Sequence, residues 1–226
     1  SGRIIGYDML EQATPALHEA HARSAFRAGA HVLCEKPMAD TAAACGRMIR
    51  AARAARRVLH VGFVNRYHPV LQRLKRELNA GRLGTVLFGA ADLGSYVTLT
   101  CSRSRYQATV YGALLMDYTH QLDFMPWLMG SPAVRVYAVG QKKGVFEHGS
   151  NPAMIAMILE HANGTITEIH LDYCRHPQQA SVSLTGDRGY LQADLATNRI
   201  DRGLRHTGAV RRWTLTVERD DLFRAQ

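Results

Sequence analysis

From Pro15 to Gly81 the apolar positions alternate between two rhythms: stretches with helical recurrence, and short continuous runs that read as buried strands. Thr14-Pro15 opens the first helix as N-cap and first helical residue, and Gly29 is placed to end it. Val32, Leu33 and Cys34 then form a short apolar run, stopped by Glu35, Lys36 and Pro37. Asp40 or Thr41 caps a second helix running to about Arg57. Ala44, Cys45, Met48, Ile49, Ala52 and Ala55 make its apolar stripe, and Arg47, Arg50, Arg53 and Arg57 take the other faces. Val58 to Phe63 is another strand. Pro69 opens a third helix, with Val70, Leu71, Leu74 and Leu78 on one side and Gly81 at its end. Helix, strand, helix, strand in this order implies parallel pairing through helical crossovers.

The period changes from Gly84. Segments of strand character run from Thr85 to Asp92, Ala133 to Val139, Met154 to Glu160, Thr165 to Tyr173, Ala180 to Thr185, Tyr190 to Asp194 and Arg211 to Val217. Asn163-Gly164 and Asp187-Arg188-Gly189 are hairpin-type turns between such runs. One helix interrupts them, from about Gly112 to Met129, and Pro126 inside it is expected to kink or end it. The fold expected is α/β followed by α+β: a partial parallel sheet over residues 1–64, then a large, mostly antiparallel open sheet over 65–226.

Composition narrows the classes. At 226 residues and 46% hydrophobic the chain can bury substantial cores, and no apolar run reaches the roughly 18 residues of a membrane span. Without a signal-peptide pattern, and with Cys34, Cys45, Cys101 and Cys174 showing no C-x-x-C spacing or close pairing, a reduced cytoplasmic setting is expected. The net charge of +9 comes from 24 arginines against 4 lysines. Because the arginines are dispersed and form no block, no nucleic-acid partner is expected.

Three polar groups are candidates for chemistry. Glu35-Lys36-Pro37 follows a strand at its carboxyl end, the edge where open α/β sheets bind ligands. The same tripeptide also reads as a solvated strand end with a turn proline. Asn65-Arg66-Tyr67-His68-Pro69 follows the next strand, either as a site element or as a helix cap and loop. Asp117 and His120, three residues apart on the expected helix, would face the same way, the carboxylate orienting an imidazole suited to proton transfer near neutral pH. An ordinary buried histidine satisfied by a local acid is the other reading, and Asp123 lies one turn further on. His18 and His21 lack a third ligand nearby, so surface histidines are expected there and no metal site.

In order along the chain, Ala13-Thr14-Pro15 with His18, His31-Val-Leu-Cys-Glu-Lys-Pro37, Gly62-Phe63 with Arg66-Tyr67-His68-Pro69, Gly81-Arg-Leu-Gly84, Leu115-Met-Asp117-Tyr-Thr-His120-Gln-Leu-Asp123 and Trp127-Leu-Met-Gly130 resemble the glucose-fructose oxidoreductase, inositol dehydrogenase and rhizopine-catabolism family. The resemblance implies a Rossmann domain followed by an open-sheet domain, and an NAD(P)-dependent oxidoreductase acting on a sugar, cyclitol or related polyol. Carried over by position, Lys36 would lie beside the nicotinamide and the reacting hydroxyl, shaped by Glu35 and Pro37. His120 would be the acid/base, with Asp117 as its orienting partner. Thr14, Pro15, His18 and Arg66 would line the cofactor side, and Asn65, Tyr96 and Asp123 the substrate side. The family also pairs subunits through the open sheet face, which implies a homo-oligomer.

The departures from that family carry an expectation of their own. No strand with a G-x-G-x-x-G turn precedes Thr14, the early glycines being Gly2 and Gly6, so the main phosphate site is absent from this sequence. Val110-Tyr111-Gly112 stands where the family has three glycines, and Asp117 and His120 have one fewer residue between them than in many members. Arg103 and Arg105 hint at an anionic group on the substrate. Two readings follow: an interior portion of a longer oxidoreductase, or a non-catalytic remnant retaining the sheet domain as an oligomerisation or binding module.

Overall fold

The computed structural model describes residues 15–101, 106–108, 110–144 and 152–226. These fall into two compact units that divide between Phe63 and Val64.

In the first unit, helix α1 (Pro15–Arg27), strand β1 (Val32–Cys34), helix α2 (Ala42–Ala55) and strand β2 (Leu59–Val61) follow in order. β1 and β2 pair in parallel, Val32 beside Leu59 and Cys34 beside Val61, as the crossover pattern requires. Gly29, at φ +77°, ends α1 in the left-handed region. Of the two possible caps for α2, Thr41 is the one used: its hydroxyl accepts the Ala44 N–H at 3.2 Å. The helix stops two residues before the expected Arg57, because Arg56 takes a left-handed conformation. Phe26, Cys34, Met48, Ala22 and Ala52 form a small core. The apolar stripe is narrower than the sequence pattern suggests, since Ile49 faces solvent. Arg47 lies exposed, as expected of a solvated face, and clamps Glu19 with two hydrogen bonds, holding that carboxyl down at about 2.

The second unit opens with a 3-10 turn (Val64–Tyr67) and helix α3 (Pro69–Asn79). Val70, Leu71 and Leu74 are fully buried, and His68 caps the helix by accepting the Val70 N–H at 3.2 Å. Then come β3 (Val86–Gly94), helix α4 (Val97–Cys101), a 3-10 turn (Tyr106–Ala108), helices α5 (Ala113–Asp117) and α6 (Thr119–Met129), strands β4 (Ala133–Gln141), β5 (Met154–His161), β6 (Ile166–Asp172), β7 (Gln179–Gly186), β8 (Gly189–Asp194), β9 (Arg199–Leu204) and β10 (Val210–Thr214), and helix α7 (Arg219–Ala225). The sheet order is β10-β9-β8-β7-β3-β6-β5-β4, antiparallel except for β3 beside β6. This is the open sheet expected from the pattern. β9 is a strand of this sheet that the pattern does not predict: Arg-Ile-Asp-Arg-Gly-Leu carries too much charge to read as a strand, and it is stabilised by pairing Asp201 with Arg199 and Arg212.

One face of this sheet is the core, where Leu159, Ile169, Val182, Leu184, Leu191 and Ile200 meet Leu71, Leu74, Phe124, Met125 and Leu128 of the helices. The other face is open. Its residues run in cross-strand rows such as Tyr137, Ile158, Glu168, Ala90, Ser183, Gln192 and Asp201, with a neighbouring row through Ile166, Phe88, Thr185 and Tyr190. Among the described residues no helix is long and apolar enough to cross a membrane.

The interrupting helix departs from the single helix expected. It is two helices, broken at Tyr118 (φ −108°, ψ 32°), whose phenol is drawn inward, donating to the Ser95 carbonyl and lying at hydrogen-bond distance from the Thr98 hydroxyl, each at 3.0 Å. Pro126 does not end α6, which runs on to Met129 and stops at the left-handed Gly130 (φ +63°).

Candidate functional site

In the first unit the candidate chemistry sits where β1 ends. Glu35-Lys36-Pro37 leaves the ladder, so its backbone groups need partners from outside the sheet. The Gly62 N–H donates to the Cys34 carbonyl at 2.7 Å, and the Lys36 N–H donates to a carboxylate oxygen of Glu35 at 3.2 Å. Glu35 lies flat against Gly62: a Cβ there would stand 3.2–3.3 Å from the whole carboxylate, which is why a glycine suits that position. The Lys36-Pro37 peptide is cis. His18 reaches from α1 to the Pro37 carbonyl, Nδ1 to O at 3.1 Å. This corrects the reading of His18 and His21 as a surface pair: His21 is exposed, whereas His18 is buried. Pro15 begins α1 half-buried, and Thr14 lies outside the described residues. Burial pushes the Cys34 thiol up to about 11, so it stays protonated and inert beside the turn.

In the second unit Asp117 ends α5 and half-buried His120 begins α6. Because Tyr118 breaks the helix between them, the helical three-residue spacing no longer sets their relation. Asp117 instead receives three donors: the phenols of Tyr106 and Tyr173, in short hydrogen bonds, and the Gln107 amide at 3.1 Å. Burial and the adjacent carboxylate push both phenols well above the usual tyrosine range, so they stay protonated and donate. Tyr118, pushed to about 12 by burial, packs its ring 5.5 Å from that of Tyr173. Tyr106, Gln107 and Tyr173 were not legible as site residues: they come from a turn and a strand end far apart in sequence, and none belongs to a motif.

Arg66 and Asp123, expected on the cofactor and substrate sides, bind each other. Arg66 Nε and Nη2 reach the two carboxylate oxygens at 2.7 and 2.6 Å, and the carboxylate raises the guanidinium pKa further. Asp123 is nearly buried, so its oxygens are held by the arginine. The loop before α3 is thereby tied to the helix that carries His120. Asn65 closes the turn, its carbonyl accepting the His68 N–H at 3.0 Å. Tyr96 follows β3, hydrogen-bonded through its N–H to the Arg175 carbonyl at 2.8 Å. Arg103 and Arg105 lie outside the described residues.

Comparison with known proteins gives these two units a common context. Residues 71–192 match a family model described as the GFO/IDH/MocA C-terminal domain, and residues 12–63 match one described as an oxidoreductase family with an NAD-binding Rossmann fold. That description agrees with the nicotinamide cofactor expected from the sequence. Inositol 2-dehydrogenase 2 of Saccharopolyspora erythraea is 29% identical over 157 residues, 68% of this chain and 44% of that protein. Inositol 2-dehydrogenase of Pseudomonas fluorescens is 29% identical over 180 residues, 76% of this chain and 50% of that protein. The chain thus spans about half the length of the curated relatives it matches. Among solved structures, aldose-aldose oxidoreductase of Caulobacter crescentus, complexed with glycerol, superposes with a TM-score of 0.80 at 27% identity, covering 94% of this chain and 64% of that one. An inositol dehydrogenase homolog of Azotobacter vinelandii, complexed with NADH and myo-inositol, shares the fold with a TM-score of 0.77 at 18% identity over 90% of this chain and 54% of that one. The chain belongs to the GFO/IDH/MocA oxidoreductase family.

Proposed function

We propose that this chain carries the reactive half of an NAD(P)-dependent oxidoreductase that moves hydride between the nicotinamide and a hydroxyl carbon of a sugar, cyclitol or related polyol. The observation that carries the reading is the Glu35-Lys36-Pro37 turn: it presents a lysine at the carboxyl edge of a parallel strand pair, with its backbone tied by Gly62 and His18. This edge fits the nicotinamide end of a dinucleotide. The sequence holds no G-x-G-x-x-G turn, the usual holder of the pyrophosphate.

When bound, the nicotinamide supplies the hydride chemistry. The Lys36 ammonium donates a hydrogen bond to the reacting oxygen, where charge develops as the proton leaves. In the second unit, His120 is the group suited to general acid/base work. Asp117 fixes the end of α5, which precedes His120, through its bonds from Tyr106, Gln107 and Tyr173. Asn65 and Tyr96 contact the remaining hydroxyls, and the Arg66–Asp123 pair fixes the loop that presents Asn65. The polyol class rests on the inositol and aldose names of the relatives.

Calorimetric titration with NADH and NADPH, followed by an activity screen on polyols, tests the reading. Polyol activity that is lost in Lys36→Ala and His120→Ala supports it; binding with activity unchanged in both variants sinks it, and absence of binding up to millimolar favours the non-catalytic remnant for these 226 residues. A second reading is favoured by the open sheet face, where Tyr137, Ile158, Phe88, Ile166 and Tyr190 are exposed together. A face of that kind pairs copies of the chain into a homo-oligomer. Sedimentation velocity of the parent chain against Tyr137→Glu decides it: a dimer or larger species dissociated by the charge is expected, and a monomeric parent excludes it.

A further inference from the structure

We infer that His18 is a positioning residue for Lys36 and does not contact the cofactor, an inference that rests on the oxidoreductase reading. On α1 the sequence places Leu17 in solvent, 47% exposed, and turns His18 inward to 7% exposure. A small core that buries an imidazole while leaving a neighbouring leucine outside has a polar requirement at that point. That requirement is the Pro37 carbonyl. It lies beyond the last residue of β1, so no ladder partner satisfies it. A carbonyl only accepts, so the ring proton sits on Nδ1 and is donated across 3.1 Å.

The bond acts on Lys36 through the backbone. On the amino side the lysine is held by its own N–H on Glu35 and by the Gly62 N–H on the Cys34 carbonyl. On the carboxyl side proline has no N–H to contribute, and His18 supplies the clamp. The Cys34 thiol, 3.6 Å from the same Nδ1, donates to the Glu35 carbonyl at 3.4 Å and closes the underside of the turn. With both flanks tied, the root of the Lys36 side chain has one position. Release at Pro37 lets the ammonium wander from it.

The chain has only four lysines, so reductive 13C-methylation gives a readable set of dimethylamine resonances: Lys36, Lys75, Lys142 and Lys143, beside that of the α-amine, which titrates at lower pH. Asparagine places an amide nitrogen where Nδ1 stands, and glutamine places one nearer Nε2. In His18→Asn the Lys36 resonance and its titration are expected to stay at the parent position. In His18→Gln and His18→Leu they are expected to move toward the solvent-exposed values of Lys143. Lys75, in the other unit, reports that the chain is folded. The Met48 methyl resonance reports the same for the small core. If His18→Leu displaces Met48 as well, the contrast between His18→Asn and His18→Gln decides. An unmoved Lys36 in His18→Gln, or equal displacement in both variants, overturns the proposal. Addition of NADH to the parent separates the two readings: an unshifted Lys36 resonance sinks nicotinamide binding by this chain and leaves the His18 result standing.

Discussion

The two units solve the same problem with unequal means. The first closes its core with Phe26, Cys34, Met48 and two alanines around a pair of three-residue strands. The second lays Leu, Ile, Val, Met and Phe side chains over eight strands in one continuous layer. Apolar burial scales with area, so the second unit holds most of the stabilisation and the first stands nearer its unfolding limit. The Glu35-Lys36-Pro37 turn of the first unit is therefore kept in shape by local hydrogen bonds, whereas the groups around Asp117 are held by a rigid framework. Precision in a thin unit has to come from polar clamps, and in a thick one from packing.

That contrast can be broken at several points, beginning where the effect is largest. Leu184→Ala empties a fully buried position beside Met125 and is expected to cost about 2–5 kcal/mol in urea unfolding. A cost below about 1 kcal/mol would show that the sheet core is not the main source of stability. Amide hydrogen exchange sharpens the comparison: β1 and β2 amides are expected to exchange more than about tenfold faster than those of β6 and β7, a gap of ~1.4 kcal/mol. Equal protection would mean that the two units unfold as one.

Smaller effects test the polar clamps. A double-mutant cycle with Arg66→Ala and Asp123→Asn is expected to give a coupling of about 1 kcal/mol, moderated by solvent at the partly exposed guanidinium. Thr41→Ala removes the α2 cap and is expected to cost about 1 kcal/mol, read in the exchange of the first unit alone.

The smallest effect is a pH dependence at His68. Burial lowers its pKa below 6.5, and its neutral ring accepts the Val70 N–H. The unfolded chain binds the proton more readily than the folded one below that value. The contribution is therefore present above about pH 6.5 and is lost as pH falls from there through the folded pKa. The urea midpoint of the parent should fall over that window and that of His68→Asn should fall less; parallel profiles would remove His68 as the cause.

Much of this architecture was legible in the chain. Pro15, Gly29, Pro69 and Gly81 punctuate helices whose apolar spacing is regular, and hairpin turns at Asn163-Gly164 and Asp187 to Gly189 separate alternating strands. Such signals are local, so they survive without tertiary information. Glu35-Lys36-Pro37 stands out because a strand ends there; Asp117 and His120 stand out as neighbours on a helix that the structure breaks between them.

Local periodicity and turn chemistry thus determined the parallel start and the antiparallel sheet. What the tertiary structure alone decided is who holds whom. Tyr118 breaks a helix that its sequence would continue, because its buried phenol takes Ser95 and Thr98 as partners. Arg66 closes on Asp123, 57 residues away, and Tyr173 closes on Asp117, 56 residues away. His18 turns inward to a carbonyl 19 residues on. A buried polar group must find a partner wherever the fold brings one, and no pattern within a few residues along the chain encodes where that is.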